Sequence, residues 1–241
     1  GSPTPPACAT ARGVCRKTVG GTMCPSYRAT LDERHATRGR GNALRLAITG
    51  QLGDSGSPEW NDAETLATLD LCLSCKACKS ECPSNVDVAK MKAEYTAQGY
   101  RRAGRIPLRQ RVYGGIHTLN RLAGIAPGLA NLGMRLTRPL ANALLGLHAE
   151  RSLPAFEKPL HKQWGDDSAG PAGDDADAPT VILYADTFTT YNEPGLGLAA
   201  RRVLEAFGYR VELFRGSDAG RALISVGMLG HAIKRADAET R

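Results

Sequence analysis

Apolar positions recur at three- and four-residue spacing through most of the first 165 residues, then give way to a different rhythm. In the first region, 1–102, Thr37 is the expected N-cap of a helix through "RGRGNALRLAIT", with Gly50 at C′. "GQLGDSGSP" reads as a loop, and Asn61 or Asp62 caps a helix "DAETLATLDL" that delivers the chain into Cys72. Beyond Pro83, Ser84 or Asn85 is placed to cap "VDVAKMKAEYTAQ", a helix expected to end at Gly99.

The second region, 103–165, reads as helices broken by Gly and Pro: "PLRQRVYGGIHTLNRLAG", "PGLANLGMRLT" and "RPLANALLGLHAE". Each carries an apolar stripe and a basic face. Packing on the first region is the expected use of those stripes, and a membrane-surface or partner-helix role is the other reading. Residues 166–178 form an acidic, Gly/Ala/Pro-rich linker by composition. In 179–241 the pattern changes. "TVILYAD" is an apolar run of strand length, followed by a loop and the amphipathic helix "PGLGLAARRVLEAFG". "YRVELF" alternates as a second strand, and "GRALISVGMLGHAIKRADAE" reads as one closing helix. This order predicts a βαβ unit with parallel strands. Two strands are too few for a stable sheet, so the chain is expected to stop inside a domain or to be completed by a partner.

Composition narrows the class. The chain has 241 residues, 42% hydrophobic and 23% charged, as a water-soluble globular protein would. No run approaches eighteen apolar residues, and the N-terminus lacks the apolar core of a signal peptide. The expected compartment is the cytoplasm, with contact at the inner membrane face as a further option. The net charge of +7 is uneven. Residues 111–165 carry seven Lys/Arg against two Asp/Glu, whereas 166–241 carry eight against twelve. A basic middle suits nucleic acid, anionic lipid or an acidic protein, and it is also what an unevenly charged surface looks like.

The seven cysteines, Cys8, Cys15, Cys24, Cys72, Cys75, Cys78 and Cys82, all precede residue 83. An odd, clustered set argues against a disulfide framework and for metal. "CLSCKACKSECP" has the C-x2-C-x2-C-x3-C-P spacing in which three thiolates wrap one [4Fe–4S] cluster and the fourth turns away to another. Structural zinc more often uses two separated pairs. Cys72, Cys75 and Cys78 therefore need a distant fourth ligand. Cys24 is followed by Pro25, as Cys82 is by Pro83, and is assigned that role. Cys8, Cys15 and Cys82 remain for a second site, one thiolate short of a cubane. Three outcomes stay open there: a three-iron cluster, a cubane with a non-cysteine ligand, or none. His35 is read as a polar neighbour of the cluster, not a ligand.

Arg16, Lys17, Arg28, Arg38, Arg40, Lys76 and Lys79 crowd these loops. They either offset the negative charge of a thiolate-bound cluster or pair on the surface with Asp32, Glu33 and Glu81. No G-x-G-x-x-G follows a strand, no P-loop is present, and no set of acid/base residues stands out. The fold class expected is mainly α, an α-helical ferredoxin-like iron–sulfur domain followed by a partial α/β domain. The role expected is an electron relay, with chemistry left to another cofactor. The competing class is a zinc-stabilised basic module binding nucleic acid or a partner protein.

Three stretches, "GVCRKTVGGTMCPSYRATLDERHATRGRGNALR", "LDLCLSCKACKSECPSNVDVAKMKAEY" and "VILYADTFTTYNEPGLGLAARRVLEAFGYRVEL", carry a further resemblance. In that order they resemble the C-terminal half of bacterial FAD-linked 2-hydroxyacid dehydrogenases, of the D-lactate and D-2-hydroxyglutarate type. They are similar, more distantly, to the glycolate oxidase iron–sulfur subunit. The resemblance implies a flavin that oxidises the 2-hydroxyacid, a cluster that takes the electrons, and a quinone or protein acceptor. It places Cys15, Cys24, Cys72, Cys75, Cys78 and Cys82 on the family's cluster positions. Six residues separate Cys8 from Cys15, where the family usually has five. The flavin half is not in this chain, so FAD is expected on a partner or a missing domain. Where the family carries a Cys-Cys-Gly-Arg type motif, this chain reads "SDAGRALISVG", so no cofactor is expected there.

Overall fold

A computed structural model of the chain describes residues 13–53, 56–165, 178–214 and 219–239. Cys8 and most of the acidic linker lie outside the described residues. Among the described residues the architecture is mainly α, with one small parallel sheet. The chain divides into two units: residues 1–106 with 224–229, and residues 107–223 with 230–241.

In the first unit, α1 (Pro25–Thr30), α2 (Thr37–Ile48), α3 (Ala63–Asp70), α4 (Ala77–Glu81) and α5 (Val88–Ala103) are joined by loops and two 3₁₀ turns, Val14–Arg16 and Glu33–His35. Asp62 caps α3, its carboxylate accepting from Thr65 N at 2.7 Å. Gly50 takes φ 72° just past α2, as a C′ glycine should. Leu44, Ala47, Leu69, Val88 and Tyr95 are almost fully buried and form one cluster with Met23, Cys24, Ala77 and Cys78. Burying an aliphatic side chain of this size contributes about 1.5–3 kcal/mol. The Tyr95 hydroxyl donates to Glu59 O at 2.5 Å, and its ring packs 5.7 Å from that of Trp60.

Two boundaries differ from the pattern reading. The N-cap of α2 is Ala36, not Thr37, because the donors at that helix start are turned to a sulfur atom from a distant segment. Helix α5 is capped by Asp87, which accepts from Lys90 N at 2.9 Å, rather than by Ser84 or Asn85. It also runs past Gly99 to Gly104, at φ 65°. Gly99 is a contact glycine and not a stop: a Cβ there would meet Asn61 Oδ1 at 2.6 Å and Trp60 O at 2.9 Å.

The second unit holds α6 (Leu108–Gly114), α7 (Ile116–Ala123), α8 (Pro127–Leu145), α9 (Leu160–Gln163), β1 (Thr180–Leu183), α10 (Thr187–Tyr191), α11 (Pro194–Ala206), β2 (Arg210–Leu213), most of α12 (Arg221–Ser225) and most of α13 (Leu229–Glu239). Strands β1 and β2 pair in parallel, with Val181 opposite Val211. The crossover through α11 is the expected βαβ unit. Three details depart from expectation. Helix α8 continues through Pro139, which removes only one backbone bond. "TFTTY" is helical because Asp186 caps it, accepting from Thr189 N at 2.8 Å. The closing helix is split by Gly227, at φ 77°.

The leucines of the α8 stripe are exposed, and no residue of that helix is fully buried. Residues 224–229 group with the first unit: Val226 O accepts from Tyr100 Oη at 3.0 Å.

Candidate metal centre

The cysteine run begins where α3 ends. Cys72 N bonds Leu69 O at 3.0 Å, closing the helix and turning the chain into the loop. Ser74 at φ 53° and Lys76 at φ 62° then flank Cys75 in left-handed backbone, and Asn85 at φ 51° ends the turn after Pro83. Left-handed conformations are uncommon for residues with a Cβ. Three in twelve residues coil this loop tightly around its sulfurs.

Cys78 lies in α4 and is buried. The backbone N–H groups of Val88 and Ala89, in the first turn of α5, lie near enough to its thiol to lower its pKa. Cys24 is buried too, at φ 55°. Its Sγ accepts from Thr37 N at 3.1 Å and lies 3.0 Å from Thr37 Oγ1, at the start of α2. Both inner sulfurs therefore sit at the N-terminus of a helix of twelve residues or more, where free N–H groups and the helix dipole favour a thiolate. Burial pushes both thiols up from their ordinary range. Thr37 and Arg40 pull Cys24 back, and the Val88 and Ala89 amides do so for Cys78. Such a site disfavours a free thiolate yet already holds the hydrogen bonds that a metal-bound one needs.

Cys15, Cys72 and Cys82 are half-buried and pack against the same core. Cys75 is exposed and borders an open depression of about 540 Å³ with Thr22, Lys76, Lys79 and Asn85. All six described cysteines are free thiols. Among the described residues, no three His, Cys, Asp or Glu side chains stand close enough together to hold a metal ion. The structure thus gathers five of the predicted cysteines around one core and leaves Cys75 at its edge.

The basic residues divide into two groups. Arg16 and Arg38 pair with Glu33, each at 2.5 Å, and Lys76 lies 3.6 Å from Asp87, as surface pairing would have them. Arg40 is different. It is 2% exposed, donating from Nε to Thr68 O at 3.2 Å and from a terminal nitrogen to Ser26 Oγ at 2.8 Å. A buried guanidinium held by neutral acceptors is costly unless a negative charge lies near. Lys92, which the pattern reading passed over, donates to Cys72 O at 2.9 Å, and burial pulls its pKa down. Its signal was a lysine one turn after Val88, on the inward face of α5. Glu81 was read as a surface counter-charge. It instead accepts from Thr22 N at 2.6 Å, Thr22 Oγ1 at 2.5 Å and Met23 N at 3.2 Å, tying the segment before Cys24 to the end of α4. His35 is buried with no hydrogen-bond partner for Nδ1.

Six thiols, one of them hydrogen-bonded at a helix start beside a buried arginine, suit the soft, anionic demands of an iron–sulfur cluster. Residues 7–87 match the family described as "4Fe-4S dicluster domain". Most of the chain is also similar to a set of curated enzymes. The D-2-hydroxyglutarate dehydrogenase of Escherichia coli (strain K12) is 25% identical over 256 residues, covering 89% of this chain and 25% of the enzyme.

Over most of its length this chain is similar to D-2-hydroxyglutarate dehydrogenases.

The enzymes of that name from Pantoea ananatis (25% identical, 86% of this chain and 24% of the enzyme) and Pseudomonas putida (24% identical, 89% and 25%) match similarly. The chain spans about a quarter of the length of these dehydrogenases. No solved structure matches it. The family match supports iron–sulfur clusters as the group that the cysteine unit binds. Among the described residues, no helix is long and apolar enough to cross a membrane.

Proposed function

We propose that this chain is the iron–sulfur electron-relay module of an FAD-linked 2-hydroxyacid dehydrogenase. The carrying observation is the buried Cys24 sulfur, hydrogen-bonded to Thr37 N at the start of α2, with the buried Cys78 beside the same core, inside the segment that matches a 4Fe-4S dicluster domain. Cys24, Cys72, Cys75 and Cys78 hold the principal [4Fe–4S] cluster, and Cys8, Cys15 and Cys82 contribute to a second site. When bound, the cluster supplies one-electron transfer between a flavin on a partner chain or another domain and a quinone or protein acceptor.

The chain's own residues prepare that step. Thr37, Val88 and Ala89 hold the two inner sulfurs with donors that favour extra negative charge. Arg40 and Lys92 place positive charge beside the Cys24 and Cys72 segments. The surrounding core of Leu44, Leu69, Val88 and Tyr95 keeps water from the inner side. Cys75, flanked by Lys76 and Lys79, faces outward and is the edge at which an electron partner approaches.

Anaerobic reconstitution with iron and sulfide, followed by absorption and EPR of the reduced protein, tests this reading. A broad thiolate-to-iron absorption band and a cluster EPR signal are expected. Colourless protein that retains stoichiometric zinc would overturn it in favour of a zinc-stabilised basic module.

A further inference from the structure

Helices α7 and α8 are inside-out. In α7 the residues turned into the unit are polar: His117 Nδ1 lies 2.8 Å from Thr187 Oγ1, and Asn120 Nδ2 donates to Asn192 Oδ1 at 2.8 Å, both pairs buried. In α8 the inward anchor is polar as well. Asn131 exchanges two hydrogen bonds with the Phe156 backbone, at 2.9 and 2.8 Å. The outward positions are leucines. Leu129, Leu132, Leu136, Leu140 and Leu144 recur at helical spacing along one face and are between 52% and 74% exposed. Leu122, near the end of α7, and Ile125, just beyond it, are exposed as well. An aliphatic strip of this length in contact with water is unusual for a soluble domain and marks a surface that is covered in use.

Charge identifies what covers it. Within the same unit, residues 107–149 contain five arginines and no Asp, Glu or Lys. Arg121 and Arg135, beside the strip, are both exposed. The strip itself carries no charge and no aromatic side chain, whereas protein–protein hot spots are rich in Trp, Tyr and Arg. A helix with an uncharged aliphatic face and basic flanks lies naturally in the headgroup layer of an anionic bilayer.

We infer that the α7–α8 face is a peripheral membrane-docking surface for anionic phospholipid. The leucine strip enters the acyl boundary and the arginines engage the headgroup phosphates. This surface belongs to the helical segment and operates whether or not metal is bound in the cysteine unit.

Co-sedimentation of the full 241-residue chain with vesicles tests it. Vesicles of phosphatidylcholine mixed equally with phosphatidylglycerol should bind the chain at least about tenfold more tightly than phosphatidylcholine alone, with the gap narrowing at high salt. Leu132→Glu/Leu136→Glu should weaken that binding at least about tenfold while far-UV circular dichroism is unchanged, because both side chains are exposed. If that pair does not fold, Arg121→Gln/Arg135→Gln provides the second arm and should reduce the preference for anionic vesicles. Absence of vesicle binding, equal binding to both vesicle types, or insensitivity to the folded variants would overturn the inference. So would a self-associated chain that ignores vesicles and becomes monomeric in Leu132→Glu/Leu136→Glu, since the strip would then be an interface between proteins.

Discussion

Cys24 occupies left-handed backbone at φ 55° with its sulfur bonded to Thr37, so its position is held against local preference. Cys72 and Cys75 are less enclosed, which lets single substitutions separate ligation from folding. Cys75→Ser removes an exposed thiol and should bleach the principal cluster of reconstituted protein, while the metal-free chain melts as before. Unchanged absorbance in that variant would remove Cys75 from the ligand set. Arg40 answers a different question. Arg40→Leu strips the donors from Thr68 O and Ser26 Oγ and should cost about 1–3 kcal/mol, read by urea unfolding. It should also lower the reduction potential of the reconstituted centre, because a buried positive charge near Cys24 is lost. Arg40→Lys should restore part of the potential. An unmoved potential would reduce Arg40 to a packing role. The Glu81 carboxyl is held below the usual range by the Thr22 hydroxyl and then by backbone N–H groups. A depressed carboxylate pKa stabilises the fold above the unfolded value of about 4.3, and that contribution fades as pH falls through the lower folded value. Melting curves in acid should therefore show a loss that Glu81→Gln partly flattens.

At the scale of elements, the cysteine spacing was legible because C-x2-C-x2-C is local. The groups that receive the sulfurs were not, because they come from elsewhere in the chain. Thr37 reads as a helix cap by residue type, yet its donors serve a sulfur thirteen residues away. Gly99 and Pro139 read as stops. One is a packing contact against Trp60 and Asn61, and the other lies within a helix that continues to Gly146. Tertiary contacts decide such cases, and a single sequence does not display them. Strands β1 and β2 with α11 between them were legible, since an apolar run, an amphipathic segment and an alternating run follow in order. The start of α5 offers a test of how far a cap reaches into the site. Asp87→Ala removes the bond to Lys90 N and should cost about 1 kcal/mol in urea unfolding. Because Val88 and Ala89 supply the Cys78 amides, the same change should also speed loss of the reconstituted cluster in the presence of a chelator. A stability loss with unaltered release would confine Asp87 to capping.

All six described cysteines lie in one of the two units, and that asymmetry predicts how the whole molecule unfolds. The first unit's core includes Cys24 and Cys78, with Cys15, Cys72 and Cys82 packed around it, so much of its interior consists of the residues proposed as ligands. A core built this way gains binding free energy when metal is present and loses it when metal is stripped. The second unit has its own interior, including Leu160, Tyr191, Val211 and Leu223, together with the buried Arg201–Glu205 pair at 2.7 Å, and none of these is a cysteine. Calorimetry of reconstituted protein should accordingly show two transitions. Removing iron with a chelator should lower one of them by about 10 °C or more, the shift expected from a few kcal/mol in a domain of roughly one hundred residues. The other should stay in place. Hydrogen exchange would assign the sensitive transition: amides of α2, α3 and α5 should lose protection on stripping, and those of α11 and β2 should keep it. A single transition that moves as one would mean that the two units unfold cooperatively, and that metal in the first stabilises the whole chain.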